Sequence, residues 1–315
     1  GTLGGPSSNV QWPGLNNGGT IVGISWTGTP DTLGEDWSCL AFLPSSTGTC
    51  LGFVWEDDVM TPLPTFGGDH GFATGVNSRG QIVGWAETAV LDPTCDAPAQ
   101  RLQFRAALWE PKKGTVQALP PLAGHSATAA VGINDKGQVA GISGDCDQAV
   151  GRFSALRAVI WENGVVRPIP DLGGITWHTS QDINEHGDVV GFSNPPGEDP
   201  VGDFIAHAFL WTYGSATALD LGTLDGDPVA QAQAINNERQ VVGVSFGGAN
   251  GLRAFLWQDG VLHDLNDLVG PGFGPGQPYQ LRSGRDINDA GQITGDVLER
   301  ATGRILAFVA TPVAP

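Results

Sequence analysis

One element recurs six times along the 315-residue chain: GLNNGGTIVG (14–23), GVNSRGQIVG (75–84), GINDKGQVAG (132–141), DINEHGDVVG (182–191), AINNERQVVG (234–243) and DINDAGQITG (286–295). Its Asn falls at 16, 77, 134, 184, 236 and 288, so the spacings are 61, 57, 50, 52 and 52. A repeat of that length is one supersecondary unit, and a unit so small buries its apolar side only by packing on its neighbours. An apolar run follows each copy, from GFVW (52–55) through AFLW (254–257) to AFVA (307–310). A third run, such as VVRPIPDLGG (165–174), follows the first five.

Each copy reads as four strands. Strand A runs into the Asn, and Asn-x-x-Gly is a tight turn in which Asn accepts a local backbone bond and Gly supplies a positive φ. Strand B is QVVG, strand C is AFLW, and strand D ends at a Leu before Gly-Gly. Four short antiparallel strands per copy are a propeller blade. The chain is therefore expected to be all-β, a six-bladed β-propeller in one domain spanning 1–315. Its blades would run approximately 6–68, 69–124, 125–174, 175–226, 227–270 and 271–315. The sixth copy has no full strand D. The chain opens GTLGG, the letters that end a repeat in LGTLDG (221–226). Residues 1–5 are accordingly expected to complete the last blade and close the ring, leaving no loose edge.

The charge balance, 33 acidic against 15 basic residues for a net −18, repels phosphate backbones and anionic membranes, which makes nucleic acid and lipid headgroups poor candidate partners; neither nucleic-acid binding nor membrane insertion is expected. No apolar run approaches the roughly 18 residues of a membrane span. Four cysteines occur, with no CxxC and no zinc spacing. An even count in a Trp-rich, Lys-poor chain favours two disulfides in an oxidising compartment, and hence a secreted or periplasmic protein whose signal peptide has been removed. Cys39 and Cys50 bracket an insertion in blade one, and Cys95 and Cys146 lie in loops of neighbouring blades. Those are the expected pairs.

The pattern GIN-x-x-GQVVG … AFLW-x-x-G … LG-x-LGG, kept in order through nearly the whole chain, resembles the HAF-repeat family of bacterial extracellular proteins. The family's His-Ala-Phe stands literally at His207-Ala208-Phe209. The resemblance implies an exported, propeller-like repeat protein without a defined common activity, and it marks His207 as a structural residue of strand C. Ala310, where the other copies have Trp, departs from the pattern.

Insertions fall between strands B and C, at about 27–51, 86–104, 143–156 and 193–206, and between D and A at 270–282. Both kinds of connection leave a blade at the same end, so the binding face is expected there. Trp55, Trp109, Trp161, Trp211 and Trp257 hold the strand-C position and read as inter-blade core. Trp26, Trp37, Trp85 and Trp177 lie at or near inserted loops. An indole's flat apolar face and single donor suit stacking on a sugar or gripping a side chain, against the plainer role of filling gaps beneath loops. His70 and His178, after the D–A turns, complete the candidate ligand-binding set, and His125 occupies a comparable place. Three such His could hold a metal, but their unequal offsets favour loop histidines.

No cofactor is expected. The carboxylates in GDCDQ (144–148), GEDPVGD (197–203) and LDGDP (224–228) offer at most a Ca²⁺ site without calcium-loop spacing. Asp182 and Asp286 precede the turn Asn, with Arg282 and Arg285 nearby; these charges either face a ligand or pair with each other, and pairing is the expectation. GVSFG (243–247) matches G-x-S-x-G but lacks the strand-to-helix turn of a serine hydrolase. GPGFGPG (270–276) has prolines where a phosphate loop needs amides. The sequence thus favours a non-catalytic extracellular binding module that takes a glycan or protein on the looped face. The alternatives are a subunit that self-assembles on a cell surface or filament, and a Ca-dependent lactonase-like propeller enzyme.

Overall fold

The computed structural model describes residues 1–35, 37–44, 48–95, 100–146, 155–197 and 203–313. Its strands form six small antiparallel sheets, the arrangement of a six-bladed β-propeller with almost no helix. The chain divides into two compact units, Gly1–Ile169 and Pro170–Pro315, with three blades in each.

In the first unit, blade one comprises β1 (Ser8–Asn9), β2 (Ile21–Trp26), β3 (Cys50–Glu56) and β4 (Val59–Pro62), with a single helical turn α1 (Trp37–Leu40) in its insertion. Blade two comprises β5 (Gly67–Val76), β6 (Ile82–Leu91), β7 (Leu102–Glu110) and β8 (Thr115–Leu119), and blade three β9 (Ala127–Ile133), β10 (Val139–Gly144), β11 (Arg157–Glu162) and β12 (Val165–Pro168). In the second unit, blade four comprises β13 (Thr179–Ile183), β14 (Val189–Ser193), β15 (His207–Trp211) and β16 (Leu219–Gly222). Blade five comprises β17 (Val229–Ile235), β18 (Val241–Phe246), β19 (Arg253–Gln258) and β20 (Val261–Asp264), followed by the turn α2 (Leu265–Leu268). Blade six has β21 (Tyr279–Ile287), β22 (Ile293–Glu299) and β23 (Arg304–Ala310).

The repeated Asn has two tasks. Its Oδ1 accepts two backbone N–H groups and so shapes the A–B turn: Arg79 (3.1 Å) and Gln81 (3.0 Å) at Asn77, Glu238 (3.1 Å) and Gln240 (2.9 Å) at Asn236. Its Nδ2 then donates to the carbonyl of the next copy's Asn. In the first unit these bonds run from Asn16 to Asn77 (2.9 Å) and from Asn77 to Asn134 (3.1 Å). In the second they run from Asn184 to Asn236 (3.1 Å) and from Asn236 to Asn288 (3.0 Å). Asp would shape the same turn but has no donor for the neighbouring blade, which accounts for Asn in the four copies that make this bond.

In blades two to six the glycine that ends strand B faces a bulged strand pairing. A Cβ on Gly84 would lie 1.9 Å from the Phe72 carbonyl oxygen, and one on Gly191 would lie 2.0 Å from that of Thr179. The register shifts opposite them, at Ala73/Gly75 and Ser180/Asp182, bring those carbonyls inward. The strand-C indoles fill the space between blades. Trp109 Nε1 donates to the Pro64 carbonyl (2.9 Å) and Trp161 Nε1 to that of Pro120 (2.8 Å), each reaching the end of the preceding outer strand. Trp109, Trp161 and Trp211 are buried, whereas Trp55 and Trp257 are half-buried.

The structure revises the expectation for residues 1–5. Among the described residues the last sheet holds three strands. Residues 1–5 lie instead along β2, where Leu3 N donates to Ser25 Oγ (2.9 Å) and Gly5 N to the Trp26 carbonyl (3.0 Å). The same bonds recur at other blade entries: Leu122 N to Ser143 Oγ (3.0 Å), Leu172 N to Ser193 Oγ (3.3 Å) and Leu224 N to Ser245 Oγ (3.0 Å). GTLGG is therefore the connection into strand A, held by a serine of strand B, and its letters match the ends of repeats for that reason.

Candidate functional site

Both disulfides form as the spacing suggested, Cys39–Cys50 and Cys95–Cys146, and no described cysteine is free. The first holds the insertion of blade one, and the second joins the loops of blades two and three.

Beneath the first disulfide the insertion makes a small core of its own. Trp12, Phe42, Phe72 and Trp85 pack ring against ring, with centroids 4.7 Å apart for Phe72–Trp85, 4.9 Å for Phe42–Phe72 and 5.4 Å for Trp12–Phe42. Trp26 and Trp85 are each 1% exposed, and Trp26 Nε1 donates to the Pro44 carbonyl (3.1 Å). Neither presents an indole face to a ligand, so both leave the candidate set. The side chain of Trp37 lies outside the described residues.

His70 also leaves the set. It is buried, and its Nδ1 accepts from the Cys50 amide (3.1 Å) and lies 3.2 Å from Cys39 Sγ. That bond puts the ring proton on Nε2, the atom 3.8 Å from Asp31 Oδ2. Cys39, Cys50 and His70 are the one described group of three potential metal ligands, and the disulfide commits both sulfurs.

Two buried carboxylates that sequence reasoning passed over flank this core. Glu87, at the end of the apolar run of β6, accepts the Asp69 and His70 amides at Oε2 (3.0 and 2.9 Å) and Gln100 Nε2 at Oε1 (3.0 Å). Burial pushes its pKa up to about 8, and the charge of Glu35 adds to the rise. Glu35 accepts the Arg101 and Leu102 amides at Oε2 (2.7 and 2.8 Å) and is also raised by burial. The hint in the sequence was a Glu closing IVGWAE, where other copies carry apolar, small or amide residues. These carboxylates fasten two long loops to strand ends.

The other sequence candidates resolve into structural roles. His125 Nδ1 lies 2.9 Å from Ser143 Oγ, and His207 Nδ1 lies 2.9 Å from Asp220 on the adjacent β16. Asp182 accepts the Ile183 and Ile235 amides (2.8 and 3.0 Å), and burial with the charge of Asp286 pushes it up to about 7. Arg285 pairs with Asp296 (2.9 Å) and not with Asp182 or Asp286. Asp227 of LDGDP is committed to Arg253 (2.8 Å), while 147–148 and 198–202 of the other acidic loops lie outside the described residues. Ser245 is buried within β18 and accepts from Leu224 N, an arrangement that offers no nucleophile.

Trp177 is different. It stands in the connection into blade four at φ +59°, a backbone region that a bulky side chain adopts only under constraint. Its ring packs on Phe204 of the B–C loop at 4.6 Å, and Phe204 meets Phe246 of blade five at 6.3 Å and Phe192 at 5.8 Å. Trp177, Phe204 and Phe246 are all half-buried, and Ile175 beside them is 55% exposed. His178 lies beneath, buried, with its ring edge-to-face on Phe209 at 5.5 Å. The surrounding backbone is fixed, because Asn194 Nδ2 donates to the Asp203 carbonyl (2.6 Å), its Oδ1 accepts from Ile205 N (3.3 Å), and its carbonyl accepts from Gly174 N (3.0 Å). Of the five candidates whose side chains are described, Trp177 alone is placed with an accessible ring, and its aromatic partners come from positions that the repeat pattern did not single out.

No protein-family model matches the chain, and no curated protein matches it in sequence. Solved structures with similarity include a gluconolactonase from Xanthomonas campestris, 14% identical over 76% of each chain with a TM-score of 0.36. A protein of unknown function from Dyadobacter fermentans is 11% identical over 97% of this chain and 95% of its own, at a TM-score of 0.47. A fungal alcohol oxidase of the AA5 family in complex with copper is 10% identical over 98% and 76%, at 0.38. None of these lends the chain an activity.

Proposed function

We propose that the protein is a non-catalytic binding module whose contact surface is the row Trp177, Phe204 and Phe246 at the looped ends of blades four and five. The observation that carries this reading is a constrained indole, at φ +59°, tilted 55° to a half-buried phenyl ring whose centroid lies 4.6 Å away. Aromatic rings on a fixed backbone lose little entropy on binding. They suit a ligand that presents an apolar face bordered by hydroxyls, which is the chemistry of a glycan. Net charge −18 disfavours polyanionic glycans and favours neutral ones. Two disulfides fit a secreted or periplasmic protein that meets such ligands, and no described helix is long and apolar enough to cross a membrane.

The test is a titration of intrinsic Trp fluorescence with soluble neutral polysaccharides, repeated on Trp177→Ala and Phe204→Ala. Saturable quenching that both substitutions abolish is the expected result. A response that survives both would place the site elsewhere and overturn the reading. A response to Ca²⁺ alone would favour the enzyme alternative, and concentration-dependent light scattering without ligand would favour self-assembly.

A further inference from the structure

The insertion GPGFGPGQPYQLR (270–282) between blades five and six takes no part in the contact row described above. Gly272, Gly274 and Gly276 all have positive φ and bend the chain, while Pro271, Pro275 and Pro278 beside them restrict it. Three backbone bonds then close the loop. Gly274 N donates to the Tyr279 carbonyl (2.8 Å), Tyr279 N to that of Gly272 (3.1 Å) and Gln277 N to that of Gly274 (3.1 Å). Tyr279 is thereby pinned through both its N–H and its carbonyl.

The loop carries two rings. Phe273 is half-buried against the core of blades five and six, and Tyr279 is 38% exposed. Their centroids lie 5.7 Å apart with the planes tilted by 33°. Polar groups border them. Arg300 is exposed, and one of its five N–H groups bonds to Gln280 Oε1, which leaves donors for a ligand's hydroxyls. Glu299, opposite Tyr279 in the sheet, balances the charge of Arg300 and accepts from Arg304 (3.0 Å).

The register places these rings relative to the first row. Tyr279 begins β21 opposite Glu299 at the end of β22, as Val229 begins β17 opposite Phe246 at the end of β18. Both aromatic groups therefore lie at the same end of adjacent blades. Gln280 is buried and joins the loops that carry them. Its Nε2 donates to the carbonyls of Asn250 (2.8 Å) and Leu252 (2.9 Å), in the B–C loop that follows Phe246.

We propose that Phe273 and Tyr279 form a second contact platform beside the row Trp177, Phe204 and Phe246, and that the two together take successive units of one neutral glycan chain. The proposal rests on the reading of Trp177 as a glycan contact and goes beyond it to the length of the ligand. A sugar's apolar face meets the Tyr279 ring, and its hydroxyls meet Arg300 at the border. Once one unit is held at Trp177, contact at Tyr279 is intramolecular, so a chain that spans both platforms gains affinity that a short one does not.

The test is calorimetric titration of the whole protein with neutral oligomers of glucose and of mannose, two, four and six units long. Affinity should rise by about tenfold or more from the shortest to the longest. Tyr279→Ala should lower the affinity for the longest by about tenfold, the upper range for one aromatic contact, and leave that for the shortest unchanged. Tyr279→Phe keeps the ring and should keep the gain. A gain with length that survives Tyr279→Ala, or the same affinity at every length, would overturn this inference and leave the reading of Trp177 standing. If no oligomer binds, or if Trp177→Ala leaves binding of the shortest intact, that reading falls and this inference with it.

Discussion

Glu87 offers the most direct check on the structure, because its burial makes a signed prediction. The carboxyl sits at the end of β6 with Oε2 on two amides and Oε1 on Gln100, and its pKa rises from 4.5 to about 8. The unfolded chain releases this proton near the ordinary value, while the native protein keeps it until about 8. The contribution of Glu87 to stability is thus fully present below the unfolded value and declines as pH rises through the window between the two. Each pH unit there costs up to about 1.4 kcal/mol, and the change from about pH 5 to about pH 8 integrates to roughly 3 kcal/mol. Glu87→Gln removes the titration and keeps an oxygen for the Asp69 and His70 amides. Urea unfolding at the two pH values should show wild type losing roughly 3 kcal/mol more than the variant on going to the higher pH. Glu35, which burial raises in the same direction, is present in both proteins, so the difference isolates Glu87. Equal pH slopes would mean that Glu87 is ionised in the native protein, and the reasoning would fail.

Two further substitutions test how the blades are joined. Asn77→Ala removes an acceptor for two turn amides and the donor to the Asn134 carbonyl. It should cost about 2–3 kcal/mol in urea unfolding, and more than Asn288→Ala, whose turn is exposed. Arg253 is buried and bonded to Asp227 (2.8 Å), Asp264 (3.1 Å) and the Asp225 carbonyl (2.8 Å). Arg253→Met should lower stability by about 3–5 kcal/mol because it leaves two buried carboxylates without their cation, and adding Asp227→Asn should recover part of that loss.

The blades were legible because a repeat encodes its own register. Six Asn-led turns, five of them Asn-x-x-Gly and one with Arg239 at φ +59° in the Gly position, and six strand-C runs mark where each strand begins, and the close approach at Gly84 or Gly191 shows why the QVVG glycine recurs. The disulfides were legible for a similar reason, since Cys39 and Cys50 lie 11 residues apart around one insertion. Less readable was anything that depends on a partner far along the chain. The Arg253–Asp227–Asp264 bonds join positions 26 and 11 residues apart without a motif. The bond from Leu3 N to Ser25 Oγ settles the role of GTLGG, and it involves a serine that the letters alone do not connect to it.

The tryptophans show where position in the repeat stops being informative. A Trp outside the repeat pattern was read as available to a ligand, yet Trp26 and Trp85 are 1% exposed. An ordered insertion must offset the entropy of fixing its own backbone, and it does so by burying apolar side chains. In blade one those are Phe42 and Leu43, brought down onto Trp26, Phe72 and Trp85. The insertion therefore consumed the aromatic residues nearest to it. Blade four is built otherwise: among the described residues its B–C loop is held by the polar side chain of Asn194, bonded to Asp203 and Ile205. With polar bonds fixing the backbone, Phe204 and Trp177 need not be fully covered for the loop to be ordered, and both remain half-buried. A loop fastened by hydrogen bonds leaves its rings to a ligand, whereas a loop fastened by its rings has none to offer.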